Sequence, residues 1–150
     1  MPIGEICNRE VVFSYPNHTV REAALLMREY HVGDLVVVEE NGKRKPVGTV
    51  TDRDISISIV ALGLDPDVIT VGDIMGPELV TVRENQGVFE TSQQMRLKGV
   101  RRLPIVGEEG ALVGIVAVDD LVALFADELS ELSKAIVREQ MVEVKTRKLK

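Results

Sequence analysis

The chain has 150 residues, of which 45% are apolar and 28% charged, and its formal net charge is −6. A chain of this length and apolarity buries roughly 70% of its unfolded surface, so it needs neither a disulfide nor a metal to fold. Its single cysteine excludes an internal disulfide, and its acidic balance argues against general binding of nucleic acid. Without a basic leader or a run of 18 apolar residues, the sequence predicts a soluble cytoplasmic protein that has no membrane segment.

The first half of the chain predicts three strands and two helices. Residues 19–22, Thr-Val-Arg-Glu, have the form of a capping box at a helix start. The uninterrupted apolar run 35–38 indicates a strand covered on both faces, and Asn41-Gly42 predicts a hairpin turn. The expected elements are strands at 11–13, 35–38 and 47–50, a helix from 20 to about 31, and a second helix after Thr51.

The second half repeats this order and adds a further helix. The expected elements are strands at 80–82, 103–106 and 112–116, a turn at 107–110, and helices at about 88–98 and from about 119. Beyond residue 127, Leu129, Leu132, Ile136, Met141 and Val144 suggest an extra, loosely amphipathic helix. Its expected role is to cap the domain or pair with a second subunit, ahead of contacting a different protein. The basic residues that close the chain are expected to form a solvated tail, ahead of a contact for an acidic partner.

The two halves are copies of one unit. When residues 6–38 are moved forward by 68 positions, 11 of 33 positions are identical, and the offset becomes 66 beyond the hairpin. A period near 67 favours two copies that make one pseudo-symmetric domain over an open solenoid. The expected organisation is a first repeat at 1–63, a linker at 64–73, a second repeat at 74–126, and a C-terminal helix with a basic tail at 127–150. Such a domain has clefts between its halves.

The most informative motif is residues 48–54, Gly-Thr-Val-Thr-Asp-Arg-Asp. It places the Thr51 hydroxyl at a helix start and the Asp54 carboxylate in the first turn, where free amides suit phosphate and a carboxylate can accept from ribose hydroxyls. The same Thr-x-x-Asp spacing is also a plain capping box, and the sequence leaves both interpretations open. The second copy, residues 114–120, has lost the hydroxyl at Ala117 but keeps the carboxylate at Asp120.

This doubled unit, each copy closing in Gly-h-h-(Ser/Thr)-x-x-Asp, resembles a tandem pair of cystathionine β-synthase (CBS) domains, called a Bateman module. The resemblance covers about residues 3–126. It implies an α+β fold in which two β-α-β-β-α repeats pack through their sheets. It also implies two related clefts for adenosine-containing ligands such as AMP, ADP, ATP or S-adenosylmethionine, and a sensing role without catalysis.

The resemblance assigns residues to a first cleft by position. Asp54 would contact the ribose hydroxyls, and Thr51 would lie near the ribose or the α-phosphate. The adenine would lie against Met75 and Val80, with Val100 on the facing strand. Gly33-Asp34 occupies the position where family members often carry a basic pair for phosphate, so this cleft would have the hydroxyl but not the phosphate charge.

In the second cleft the resemblance places Asp120 on the ribose, with Cys7, Val12 and Val32 around the base. Arg101-Arg102 fills the basic position before the middle strand of that repeat and would meet phosphate. The two clefts are therefore expected to differ. An alternative is that both arginines are ordinary surface residues.

Other chemistries find little support in the sequence. His18 and His31 are 13 positions apart without a cysteine pair or an acidic cluster, so no metal site is expected. Neither a dinucleotide-binding glycine motif nor a P-loop is present. The leading hypothesis is an adenosyl-ligand sensor that signals to an unidentified protein partner, with the ligand as effector and not as cofactor. The alternative is a dimerisation or scaffold module that no longer binds nucleotide, and an enzyme ranks third.

A homodimer is also expected from surplus apolar residues on the helices that close each repeat. These are Ile55, Ile57 and Ile59 in the first repeat and Leu121, Leu124 and Phe125 in the second. They exceed what one buried stripe needs, and a large exposed apolar patch usually marks an interface. The resemblance implies the same surface, because CBS pairs commonly meet through these helices.

Overall fold

A computed structural model describes residues 1–76 and 78–147 of the chain. The first half contains β1 (Phe13–Ser14), α1 (Val20–Tyr30), β2 (Asp34–Val38), β3 (Pro46–Thr51) and α2 (Asp52–Ile55), which continues as a π-helical turn over Ser56–Val60. The second half contains α3 (Val71–Ile74), β4 (Val82–Arg83), α4 (Val88–Lys98), β5 (Arg102–Val106), β6 (Leu112–Ala117) and α5 (Val118–Arg147). A short 3₁₀ turn, Ile3–Glu5, opens the chain.

The two halves form two sheets of the same topology. In each sheet a short first strand runs parallel to the middle strand, which pairs antiparallel with the third. The register is also repeated, since Leu35 lies opposite Val50 and Leu103 opposite Val116. At the start of α1, the Thr19 hydroxyl and the Glu22 carboxylate each accept a backbone N–H of the other residue, which confirms the predicted capping box. The α+β fold of two pseudo-symmetric repeats is confirmed.

The first strand of each repeat begins later than the sequence predicts. It occupies Phe13–Ser14 and Val82–Arg83, and not residues 11–13 and 80–82. In the first repeat, Val11 and Val12 line a cavity between the halves, and the Val12 carbonyl accepts the Val36 N–H at 3.4 Å just before the strand begins. An apolar run marks burial but does not distinguish a paired strand from an extended segment that packs against neighbouring side chains.

Each repeat completes its core with a segment from the other. Ile3 is fully buried in the core of the second half, and its N–H donates to the Gln86 carbonyl at 2.7 Å. Val71 is fully buried in the core of the first half, and its N–H donates to the His18 carbonyl at 2.8 Å. The two contacts are related by the offset of 68 residues, so the exchange follows the internal symmetry.

The two sheets also pack against each other directly. Val36 and Val38 of β2 are buried with Leu112 of β6, and Phe13 and Ile115 pack around them. The predicted packing of the repeats through their sheets is therefore observed. Because the sheets share this interface and exchange their opening segments, the clefts between them have walls from both halves.

The C-terminal helix differs from the expected pair of helices. The closing helix of the second repeat and the extra helix beyond residue 127 are one helix of 30 residues, Val118–Arg147. Continuity is allowed because no glycine or proline interrupts this stretch. Residues 148–150, the end of the predicted basic tail, lie outside the described residues. No helix in the described part of the chain has both the length and the apolarity to cross a membrane.

Five of the six apolar residues that the sequence assigns to this surface are buried or pack against the cores of their own repeats. Ile59 and Leu121 are buried within the chain, and Ile55, Leu124 and Phe125 pack against the cores of their own repeats. Of the six residues, Ile57 alone is counted among the exposed large apolar side chains. The closing helices also expose apolar side chains at other positions, Val60 at 73% and Val122 at 60%, so an apolar surface for self-association on these helices stays a prediction.

We expect Gly4→Ala to destabilise the fold, because the exchanged segment approaches its host closely. A Cβ at Gly4 would lie 2.9 Å from both the Cβ and the carbonyl oxygen of Glu84. Such overpacking costs about 1–3 kcal/mol, measurable as a lower urea midpoint at constant slope. Gly76→Ala is the control, since its Cβ would lie more than 4 Å from the atoms of the described residues beyond its chain neighbours. Equal stability of the two variants would contradict close packing of the segment around Gly4 against the second repeat.

Candidate functional site

A cavity of about 300 Å³ lies between the two repeats and takes its walls from both. Its lining residues are Asn8, Glu10, Val11, Val12, His31, Val32, Gly33, Asp34, Arg102, Ile115, Ala117 and Asp120. A second cavity of about 600 Å³ shares Asn8, Glu10, Val11, Val12 and Val32 with it and adds the apolar side chains Phe13, Leu26 and Tyr30. A charged compartment thus adjoins an apolar one, as a site for a polar ligand with a flat apolar group requires.

Asp120 reaches this cavity from the first turn of α5. The Ala117 N–H donates to Asp120 Oδ2 at 2.8 Å, so the carboxylate caps the helix without help from a hydroxyl. A carboxylate has two oxygens with about four acceptor positions, and this bond uses one of them. Asp120 therefore retains acceptor capacity toward the cavity that it lines.

The charge of the cavity comes from an ion pair between the repeats. Arg102 Nε lies 3.1 Å from Asp34 Oδ1, and both side chains line the cavity. Positions 34 and 102 differ by 68, so each is the counterpart of the other in the repeat. The pair therefore lies at the pseudo-twofold axis, where two arginines would repel each other and two aspartates would do the same.

Asp34 is the more buried partner, with 17% of its side chain exposed against 47% for Arg102. Burial raises the pKa of Asp34 above its ordinary value; Arg102 acts in the opposite direction and Asp52 adds to the increase. The attraction of a single, half-exposed guanidinium does not fully compensate for the lost hydration of the carboxylate. The charged form of Asp34 is therefore unfavourable at this position, and an anion that stays better hydrated could replace it as the partner of Arg102.

The structure separates the two arginines that the sequence groups together. Arg101 points away from the cavity and lies 3.4 Å from Asp119, and both of these side chains are about three-quarters exposed. It borders a different groove, which contains Val100 and Phe125. The sequence groups Arg101 and Arg102 in one phosphate site, whereas of the two only Arg102 lines this cavity.

The three apolar residues expected in the second cleft are only partly together. Val12 and Val32 line both cavities. Cys7 does not line either of them and packs instead against β6, where a Cβ added at Gly114 would lie 2.6 Å from its sulfur. Burial raises the pKa of the Cys7 thiol, which agrees with a packing role.

In the expected first cleft, Thr51 and Asp54 form a complete capping box. The Thr51 N–H donates to Asp54 Oδ2 at 2.9 Å, and the Asp54 N–H donates to Thr51 Oγ1 at 3.0 Å. Met75 packs over Gly48 within the core of the first repeat. Val80 and Val100 pack against the core of the second repeat. Residue 77, between these groups, lies outside the described residues.

Several lining residues of the cavity are absent from the sequence-based site. Asn8 exchanges two backbone hydrogen bonds of 2.9 Å with Ile115, and this pairing brings Glu10 and Val11 along the cavity wall. His31 ends α1 in a left-handed conformation, with φ of 55°, and lines the cavity beside Gly33. Within residues 1–76 and 78–147, no cluster of three or more His, Cys, Asp or Glu side chains could hold a metal ion.

A family model for the CBS domain matches two segments of the chain, residues 3–61 and 71–127. The chain belongs to the CBS domain family. It is 38% identical over 141 residues to an uncharacterized protein, MK0525, of Methanopyrus kandleri, covering 89% of this chain and 71% of that one. It is 42% identical over 119 residues to the CBS domain-containing protein YhcV of Bacillus subtilis, a match that covers 79% of this chain and 81% of that one.

Solved structures of CBS proteins have the same fold. The chain is similar to the Hypoxic Response Protein I crystallised with two coordinated zinc ions, with a TM-score of 0.73, 32% identity and coverage of 82% and 98%. It is similar to PAE2072 of Pyrobaculum aerophilum complexed with AMP, with a TM-score of 0.72, 28% identity and coverage of 80% and 89%. The chain is also similar to the CBS pair of MJ0100 in complex with 5-methylthioadenosine and S-adenosyl-L-methionine. The TM-score is 0.72 and the identity 26%, and the match covers 85% of this chain and 98% of that one.

We expect the stability of the chain relative to an Asp34→Asn variant to rise as the pH falls from 7 toward 4. The folded-state pKa of Asp34 is raised, so the folded chain takes up this proton at a higher pH than the unfolded chain does. The free energy of unfolding of the unaltered chain, minus that of the variant, should thus increase as the pH falls and become constant below the ordinary pKa of aspartate. Urea titrations at several pH values measure it, and a difference independent of pH would contradict the role of burial.

Proposed function

We propose that the chain is a regulatory module that binds an adenosine-containing ligand, such as AMP, ADP, ATP or S-adenosylmethionine, in the cavity at Asp120. The observation that carries this proposal is the meeting of Asp120, Arg102 and the apolar Val12 and Val32 in one space. These groups supply an acceptor for ribose hydroxyls, a cation for phosphate and apolar contacts for a base. The solved CBS structures with AMP and with S-adenosyl-L-methionine support the same ligand class.

The ligand would bind in competition with an internal ion pair. A phosphate offers Arg102 a doubly charged, exposed partner, whereas Asp34 offers one charge that is costly to keep buried. Binding would therefore release Asp34 from Arg102 and alter the contact between the two repeats at their axis. A change of this kind is how a module without catalytic residues can signal, and we propose no catalytic activity for the chain.

The first cleft is proposed as the weaker site. Its carboxylate and hydroxyl are both engaged in the capping box between Thr51 and Asp54. The residue expected at its phosphate position, Asp34, is an acid and lines the cavity of Asp120 instead. A ligand at Asp54 would still find acceptor capacity on the carboxylate, with Met75, Val80 and Val100 as the proposed apolar contacts.

The second candidate function is a scaffold whose clefts no longer bind nucleotide. The observation that favours it is the same ion pair, since Asp34 already neutralises the cation that phosphate would need. In either case we propose that the chain self-associates as a homodimer and acts on a protein partner, without contacts to nucleic acid or membrane.

A thermal-shift screen tests the proposed ligand class. A ligand at about 100 times its dissociation constant stabilises the folded state by about 2.7 kcal/mol, which raises the melting temperature by roughly 5–10 °C for a chain of this size. We expect this for at least one of AMP, ADP, ATP and S-adenosylmethionine, and not for GMP. If no adenosyl compound shifts the melting temperature at millimolar concentration, the scaffold function is supported instead.

Titration calorimetry on a matched pair of arginine variants tests the site. Charged hydrogen bonds contribute about 1.5–3 kcal/mol, so Arg102→Ala should weaken AMP binding at least about tenfold and adenosine binding much less. Arg101→Ala is the control and should leave both affinities unchanged. Asp120→Ala should weaken both ligands at least about tenfold, more than Asp54→Ala does. Equal effects of the two arginine variants would rule out Arg102 as the phosphate contact.

A further inference from the structure

The last 22 described residues, 126–147, form a helical arm with no cover from the rest of the chain. Every one of them is exposed, although the helix is continuous from Val118. At about 1.5 Å per residue the arm is about 33 Å long. An isolated helix of this length is only marginally stable in water and normally depends on packing of an apolar face. The arm therefore needs a partner surface.

Most of the exposed apolar side chains of the arm share one face, and Val142, which is 44% exposed, lies off it. The residues of this face recur at helical spacing. They are, in order, Leu129, Leu132, Ser133, Ile136, Val137, Gln140, Met141 and Val144. The six apolar side chains among them are between 54% and 67% exposed. Six such residues in one stripe exceed the scattered apolar side chains of an ordinary surface.

This face is complementary to itself when two arms run antiparallel. Residues whose numbers add up to 273 then lie opposite each other. The opposed pairs are Leu129 with Val144, Leu132 with Met141, Ile136 with Val137, and Ser133 with Gln140. Apolar residues thus meet apolar residues throughout, and the two polar positions of the face meet as a hydroxyl and an amide that can bond. A twofold interface requires this kind of self-complementarity.

The charges on the arm favour the antiparallel orientation over the parallel one. Residues 126–136 carry three acids against one base, a net charge of −2, and residues 137–147 carry three bases against two acids, a net charge of +1. Antiparallel arms bring the acidic beginning of one to the basic end of the other. Parallel arms would instead bring acids to acids and bases to bases, within the range of about 8 Å over which charges interact at physiological salt.

We propose that the arm is a homodimerisation element that pairs antiparallel with the arm of a second copy, centred between Ile136 and Val137. This inference rests on the proposed self-association and assigns it to the arm, not to the closing helices of the repeats. The centre lies about 28 Å along α5 from Val118, so a straight pair holds the two CBS pairs at opposite ends. Their closing helices then do not meet.

Light scattering on two neighbouring charge variants tests the assignment. The unaltered chain should have a mass of about 33 kDa at micromolar concentration, twice the 16.5 kDa of one chain. Ile136→Glu places two carboxylates at the centre of the pair and should raise the dissociation constant at least about 100-fold, giving a monomer. Ala135→Glu adds the same charge on the opposite face and should leave the dimer intact. Circular dichroism of both variants checks that the repeats stay folded.

Cysteine cross-linking in a Cys7→Ala background tests the orientation. Leu129→Cys alone should give no disulfide-linked dimer, because the two copies of residue 129 would be about 22 Å apart. A mixture of Leu129→Cys and Val144→Cys chains should cross-link. Self-linking of Leu129→Cys would overturn the antiparallel orientation. A dimer that survives Ile136→Glu would overturn the arm as the interface while preserving self-association, and a monomeric unaltered chain would overturn both.

Discussion

The structure depends on the exchange of opening segments between the repeats. Ile3 fills the core of the second repeat and Val71 fills that of the first, each held by backbone hydrogen bonds to the other repeat. Neither core is complete without its partner, so the two sheets are obliged to face each other. The segments that follow, around Asn8 and Met75, consequently run along the border between the repeats. The cavity walls at Asn8, Glu10 and Val12 are a direct result of this path.

The internal symmetry is broken most clearly at its axis. A residue on a twofold axis meets its own counterpart, and identical charges in that place would repel. The chain has Asp34 on one side and Arg102 on the other, so the two repeats attract each other there. The same substitution makes the clefts unequal, because it places both groups in the cavity of Asp120. One pair of residues thus both links the repeats at their axis and sets the charge of the cavity.

The sequence was sufficient to predict the fold and the Asp120 carboxylate of the cavity, but not all of the residues that line this cavity. The repeat, the capping boxes and the apolar runs are local patterns, and the structure contains the elements they predict. Asp120 and Val12 could be placed by position in the repeat. The opposite directions of Arg101 and Arg102 depend on the exact residue at which β5 begins, and sequence patterns define strand ends to within only a few residues. Asn8 reaches the cavity because the opening segments are exchanged, and His31 reaches it because α1 ends there in a left-handed conformation. Neither feature produces a periodic pattern in the sequence. The burial of Ile59 and Leu121 likewise follows from tertiary packing and not from their spacing.

The continuity of α5 gives the molecule a mechanical property. Asp120 lies in the first turn of this helix, at the cavity, and Arg147 lies near its far end, about 40 Å away at 1.5 Å per residue. When its apolar face is packed against a partner surface, a helix without a glycine or proline moves nearly as a rigid rod over this distance. A tilt of about 5° at the cavity would therefore displace the far end by about 3.5 Å, comparable to two residues of helical rise. A displacement at the cavity that is too small to repack a core thus becomes one of several ångströms at the far end of α5.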